Sequence, residues 1–221
     1  MGLCFGSSAA EIRSHELAFM SIVTEGAYKS AKLIDAVYDK AVADGAQEQI
    51  FNAKDDEGDL PLHKAAMHGN PTCLDWIFKK WDEQGIPLDA DTQDHNGYSP
   101  LYLVCYKGFL GAETQAFSPD TKMKRLECIE ILLNRGANVN FTTPLLGMTP
   151  LHWAAYQGDS DICELLLKNG ALQILTKHDK TPVDIAGFCG HGDVVMVFVK
   201  HLEQQLVRER EIKFNRAEGT P

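Results

Sequence analysis

The chain of 221 residues carries 31 acidic against 21 basic side chains, a formal net charge of −10, and is 44% hydrophobic. That hydrophobic share suffices for one large domain or a short solenoid and excludes a disordered composition. The acidic balance argues against nucleic-acid binding, which needs a basic stripe to displace counterions.

Residues 1–10 have no periodicity and read as a flexible arm. Gly2 becomes N-terminal once Met1 is removed. The strict myristoylation pattern asks for Ser or Thr at position 6, where this chain has Gly6 followed by Ser7. Cys4 lies where a second, thioester-linked acyl chain is often added. One myristoyl chain binds membranes only marginally, so Cys4 would be the second signal. The arm resembles the dual-acylation arms of peripheral membrane proteins. The alternative is an ordinary free N-terminus that begins with glycine. The N-terminus lacks the apolar core of a secretory signal. The longest purely apolar run, residues 194–199, is far short of the roughly 20 residues that span a bilayer.

Residues 11–42 read as two helices interrupted at Gly26, with Leu17, Met20 and Val23, then Leu33, Ile34 and Val37, on apolar faces. Asp44 and Gly45 end the second. Residues 11–54 form a degenerate first repeat or cap, and 51–58 a turn-rich connector.

A motif then recurs. It is Gly-Asp-Leu-Pro-Leu-His-Lys-Ala-Ala-Met-His-Gly-Asn at 58–70 and Gly-Tyr-Ser-Pro-Leu-Tyr-Leu-Val-Cys-Tyr-Lys-Gly at 97–108. At 147–158 it is Gly-Met-Thr-Pro-Leu-His-Trp-Ala-Ala-Tyr-Gln-Gly, and at 180–190 Lys-Thr-Pro-Val-Asp-Ile-Ala-Gly-Phe-Cys-Gly. In the third copy Thr149 and Pro150 open a helix, because proline's missing N–H costs nothing at the first position. Ala154 and Ala155 allow close helix approach, and Gly158 ends the helix. Ile162, Leu165 and Leu166 mark a second helix that Gly170 stops. Two such helices cannot bury their apolar faces alone, so copies must stack.

The motif strongly resembles the ankyrin repeat, with its Thr-Pro-Leu-His-x-Ala-Ala core and a period of about 33 residues. The resemblance covers roughly residues 17–202, and Gly136 to Asn140 match the family's helix end and entry to the next hairpin. It implies an all-α ankyrin-repeat solenoid of helix–turn–helix units with projecting hairpin loops. Four repeats occupy 55–202, and 203–221 form a C-terminal helix extension and tail. The prolines at 61, 100, 150 and 182 are 39, 50 and 32 residues apart. The long interval points to an insertion at about 109–124, on a face that is often functional in repeat proteins. Ser99 and Tyr102 stand where the motif has Thr and His, so that unit's internal hydrogen bond should change, and Asp184 replaces the last His. Residues 192–216 continue as a helix with Val195, Phe198, Val199, Leu202 and Leu206 as its apolar stripe.

The six cysteines stand singly, never as Cys-x-x-Cys, and read as reduced, buried thiols of a cytosolic protein. By resemblance His63 and His152 fix the turn through the neighbouring backbone and threonine hydroxyl, and no nucleophile or metal partner recurs beside them. Asp89, Asp91, Asp94 and Asn96 mimic a calcium loop but lack its register and closing Glu, so a solvated acidic hairpin is expected. No phosphate loop and no Gly-x-Ser-x-Gly is present. A non-enzyme is expected, without cofactor, metal or small-molecule substrate.

What remains is surface. The resemblance implies a concave face lined by the residues just before each turn glycine, namely Met67/His68, Tyr106/Lys107, Tyr156/Gln157 and Phe188/Cys189. Aromatic residues are enriched at binding hot spots. Met67, Tyr106, Tyr156 and Phe188 are therefore the candidate protein-partner contacts. Tyr98, Leu145, Leu146 and Met148 extend the patch, with Trp153 beside it. Phe188 and Trp153 either meet the partner or pack against neighbouring repeats. The expected function is a non-catalytic adaptor held through Gly2 and Cys4 at the cytoplasmic face of a membrane. The alternatives are a structural component of a cytoskeletal, ciliary or flagellar assembly, with the insertion and the C-terminal helix as docking elements, and a regulator that occludes an enzyme.

Overall fold

The structure, a computed structural model, describes residues 9–24, 31–55, 58–85, 89–107 and 119–218. The described residues form helices joined by turns, with no strand among them. The chain divides into two compact units, Met1–Phe141 and Thr142–Pro221.

The first unit holds α1 (Ala9–Thr24), α2 (Ala31–Ala43), α3 (Gln47–Asn52), α4 (Pro61–Met67), α5 (Pro71–Gln84), α6 (Pro100–Lys107) and α7 (Pro119–Asn134). The second holds α8 (Pro150–Gln157), α9 (Ser160–Lys168), α10 (Pro182–Phe188) and α11 (Gly192–Glu218). Every motif proline begins the first helix of its pair, as its lost N–H and fixed φ favour. In the first unit α4 packs on α6 and α5 on α7. In the second, α8 packs on α10 and α9 on α11. Each unit is thus two helical layers, the arrangement of an ankyrin-repeat helical solenoid. The small alanines let the layers close up: Ala65, Ala66, Ala154 and Ala155 are fully buried.

The helix starts are capped by side chains. Asn70 Oδ1 accepts from the Cys73 amide at 3.1 Å on α5, and Asp159 Oδ1 from the Ile162 amide at 3.2 Å on α9. On α10 Thr181 and Asp184 cap reciprocally. The Thr181 amide donates to Asp184 Oδ2 at 2.9 Å, and the Asp184 amide to Thr181 Oγ1 at 3.2 Å. Asp184 thus does the work of the missing histidine.

Four loops precede the first helices and share one turn. In each, an amide–carbonyl bond closes the base: Asp55 to Asp59 (3.2 Å), Asp94 to Tyr98 (3.0 Å), Thr143 to Met148 (3.0 Å) and Thr176 to Lys180 (2.9 Å). The first residue's side chain then accepts from the far amide, as from Asp59 to Asp55 Oδ1 and from Tyr98 to Asp94 Oδ1, both at 2.8 Å. These are hairpin-like turns without strands.

The helices before the first repeat close its end through Trp76 of α5. Its ring lies 5.6 Å from Phe19, 5.3 Å from Tyr38 and 6.0 Å from Phe51, and its indole donates to Asp35 Oδ1 at 2.7 Å. Such a cap covers the apolar face a first repeat would expose.

Three sequence expectations differ in detail. On α1 the buried face is His15, Phe19, Met20, Ile22 and Val23, and Leu17 is exposed, as is Leu33 on α2. Leu17 lies on the far side of the helix from Phe19, two residues away at 100° each. On α11 the buried residues are Val194 and Phe198, while Val199, Leu202 and Leu206 are exposed. Of the expected insertion, residues 119–124 are the opening turns of α7, which starts on Pro119. Residues 109–118 and Gly26 lie outside the described residues.

Candidate functional site

His63 and His152 are fully buried and structural. His63 Nδ1 accepts from the Leu60 amide at 3.2 Å, so its Nε2 carries the proton and donates to the Thr92 carbonyl at 2.8 Å. His152 Nδ1 accepts from the Thr149 amide at 3.0 Å and lies 2.8 Å from its hydroxyl, and its Nε2 donates to the Lys180 carbonyl at 3.2 Å. Each ring therefore caps its own helix and reaches the loop of the next repeat. Burial holds both imidazoles below their ordinary value, with the hydrogen bond to the next loop opposing. Cys73, Cys105, Cys128 and Cys163 are equally withdrawn and Cys189 is half-buried, and burial pushes the Cys73 thiol up to about 11.

Tyr102 replaces the histidine in the second repeat and turns the site aromatic. Its ring centre lies 4.9 Å from that of Tyr98 and 6.0 Å from that of Tyr106, with Tyr98 and Tyr106 also 6.0 Å apart. Tyr102 is buried while Tyr98 and Tyr106 are half-buried. The helix start keeps the bond from the Tyr102 amide to Ser99 Oγ at 3.3 Å, without a histidine ring to return it. Desolvation, then the neighbouring Tyr106, pushes the Tyr98 phenol upward.

Met67, Tyr106, Tyr156 and Phe188 share one position, six residues after the motif proline. Met67 is half-buried beside the end of α4. In the second unit Trp153 and Tyr156 meet edge to face at 5.5 Å, with Trp153 half-buried and Tyr156 38% exposed. Phe188 is 95% exposed, so its ring does not pack on a neighbouring repeat of that unit. Leu145 and Leu146 stand out from their loop at 75% and 37% exposure. Met148 does not: it is 9% exposed, because the loop closes over it when its amide and carbonyl bond to Thr143. Leu172 and Leu175, which lack helical spacing and were passed over in the sequence, are also exposed in the second unit. Gly2, Cys4 and the side chain of Lys107 lie outside the described residues.

The acidic hairpin is less solvated than its composition suggests. Asp94 Oδ1 accepts from the Asn96 and Tyr98 amides, both at 2.8 Å, and Asp91 accepts from the Asn138 amide at 2.9 Å. Those carboxylates fix loop backbone. Desolvation raises the Asp91 carboxyl, and the Asn138 bond opposes it. One buried cation went unnoticed in the sequence. Arg125 of α7 donates to the Val104 carbonyl at 3.2 Å and the Cys105 carbonyl at 3.4 Å, satisfying the last turn of α6. Among the described residues no helix is long and apolar enough to cross a membrane.

Comparison with known proteins follows the repeat. The family model described as "Ankyrin repeats (3 copies)" matches residues 121–209, and that described as "Ankyrin repeat" matches residues 96–144. NF-kappa-B inhibitor delta of Mus musculus is 29% identical over 160 residues, 68% of this chain and 48% of that protein. Transient receptor potential cation channel subfamily A member 1 of Homo sapiens is 28% identical over 152 residues, 69% of this chain and 12% of that protein. Ankyrin repeat domain-containing protein 53 of Mus musculus is 34% identical over 104 residues, 47% of this chain and 17% of that protein. The chain thus spans about half the length of one relative and far less of the others.

Proposed function

Because the chain belongs to the ankyrin-repeat family, we propose that it is a non-catalytic adaptor that binds a protein partner through the aromatic ends of its first helices. Ankyrin repeats and the matched relatives support a protein–protein interaction module. The relatives are an inhibitor, a cation channel and a repeat-domain protein, so the likeness follows the repeat and not one shared activity.

The observation that carries the reading is Phe188. A phenylalanine 95% exposed at the position of Tyr106 and Tyr156 has no fold role of its own. Rigid aromatic side chains lose little entropy on contact and anchor interfaces. The test is a photo-crosslinking amino acid in place of Phe188, with the same group at exposed Lys79 as control. A protein crosslinked from 188 and not from 79 supports the reading. Equal or no crosslinking from 188 refutes it.

The adaptor would be tethered to the cytoplasmic face of a membrane by myristate on Gly2 and palmitate on Cys4. Support is the Met-Gly-x-Cys start with small residues after it. Two chains hold a protein where one is marginal, and the anchor raises the local concentration of the binding surface. Labelling cells with an azide analogue of myristate should mark the wild type and spare Gly2→Ala, and Cys4→Ser should leave the membrane fraction. An unlabelled wild type would end the tether proposal and leave the binding module standing.

A further inference from the structure

The loops before α4 and α6 bring one side chain of the first loop against two adjacent ones of the second, 35 and 36 residues further on. A carboxylate oxygen of Asp59, a carboxylate oxygen of Asp94 and a ring nitrogen of His95 all lie within 4.8 Å of one another. Gly58 permits the approach, since a Cβ at that position would sit 3.2 Å from the Cβ of His95.

Asp59 is the telling residue. Its side chain is 3% exposed, and its Oδ2 pairs with Lys64 Nζ at 2.8 Å. Its Oδ1 is buried with no hydrogen-bond partner. That orphan oxygen points toward His95, with Nδ1 3.9 Å away. A carboxylate oxygen removed from water and given no donor is costly unless a cation meets it. The local charge points the same way. Lys64 Nζ is shared by Asp55 at 2.7 Å and Asp59 at 2.8 Å, so with Asp94 three carboxylates stand against one ammonium. Two negative charges are left over within this group of four.

We propose that Asp59, Asp94 and His95 form a divalent-cation site that clips the loop before α4 to the loop before α6. One imidazole and two carboxylates are a donor set for zinc more than for magnesium or calcium, which take oxygen alone. The neutral imidazole binds through a ring nitrogen, and water completes the tetrahedron. Zinc bonds of about 2.0–2.2 Å require donors about 3.4 Å apart, so His95 closes inward slightly. It is exposed and free to do so. The Asn96 and Tyr98 amides on Asp94 Oδ1, each at 2.8 Å, hold that ligand in place. A cation that binds only the folded loops also stabilises the unit.

The test uses the full chain after chelator treatment, titrated with zinc chloride against a chromophoric indicator, with thermal unfolding followed in parallel. His95→Ala is the deciding variant, because an exposed side chain is removed and the fold is kept. Asp59→Asn is the second. The wild type should hold one zinc that His95→Ala weakens at least about tenfold, and zinc should raise the wild-type Tm and not the variant's. Zinc bound at cysteines persists in His95→Ala and is subtracted. Equal zinc affinity and equal Tm response in the two proteins would overturn the site. So would a magnesium response as large as that of zinc.

Discussion

His63 Nε2 donates to the Thr92 carbonyl at 2.8 Å, and this single bond joins the first helix of one repeat to the loop of the next. His152 repeats the relation with Lys180 in the second unit. The residue that looks most catalytic in the motif is therefore a buried strut. Its Nδ1 terminates one helix start and its Nε2 supports the following turn, so both nitrogens are engaged and neither is left for chemistry.

That strut makes stability depend on pH. Burial lowers both imidazoles below the ordinary 6.5, so the unfolded chain binds more protons than the folded one as pH falls past that value. The stabilisation is fully present above 6.5 and is lost as pH falls from there toward the lowered folded values. Urea midpoints at about pH 7.5 and pH 5.5 should fall more for the wild type than for a His63→Gln, His152→Gln double variant, which cannot titrate there. At neutral pH His152→Ala should itself cost about 2–4 kcal/mol, through a cavity and a Thr149 amide left without its acceptor.

Gly158 and Gly170 separate two effects of glycine. Both have left-handed φ, +74° and +88°. A Cβ on Gly158 would lie 2.6 Å from the His191 ring, whereas Gly170 faces open space. The His191 ring donates from Nε2 to the Tyr156 carbonyl at 2.9 Å, so displacing it breaks a further bond. Gly170→Ala should cost about 1–2 kcal/mol from backbone strain alone. Gly158→Ala should cost at least about 1 kcal/mol more, read from paired urea curves.

Trp76 should hold the N-terminal helices to the first repeat. Trp76→Ala removes the ring shared by Phe19, Tyr38 and Phe51, at an expected cost of about 3–5 kcal/mol. Amide exchange in α1 and α2 should accelerate before that in α4 and α6. Uniform acceleration across the first unit would show that the helices are not a separable cap.

The repeat was legible because its signals are local. The proline, the histidine or aspartate two residues on, and the closing glycine each act within one helix, so spacing alone exposes them. Asp184 looked like a loss of the motif and is a working cap. What stayed hidden depends on residues brought from afar. Arg125 reads as a solvated cation until α6 supplies its carbonyls, and Trp76 reads as one more apolar residue until Asp35 and three rings surround it. Asp59 and His95 resemble ordinary turn residues, since nothing in either loop announces the other. Phe188 was ambiguous for the same reason: packing or partner differ only in exposure, and 95% exposure removes packing within its unit. Met148 went the other way, enclosed by its own loop.

An adaptor of this kind must grip another protein with the exposed aromatic ends of its first helices. The most direct measurement compares partner recovery by the wild type and by a Tyr156→Ala, Phe188→Ala double variant from the same cells, with Tm recorded for both. Because Phe188 is 95% exposed and Tyr156 is held only in part, against Trp153, the variant should fold with a Tm lowered by the loss of that ring contact. A protein retained by the wild type and reduced at least about tenfold by the folded variant is the predicted result. Equal recovery by the two folded proteins would contradict it.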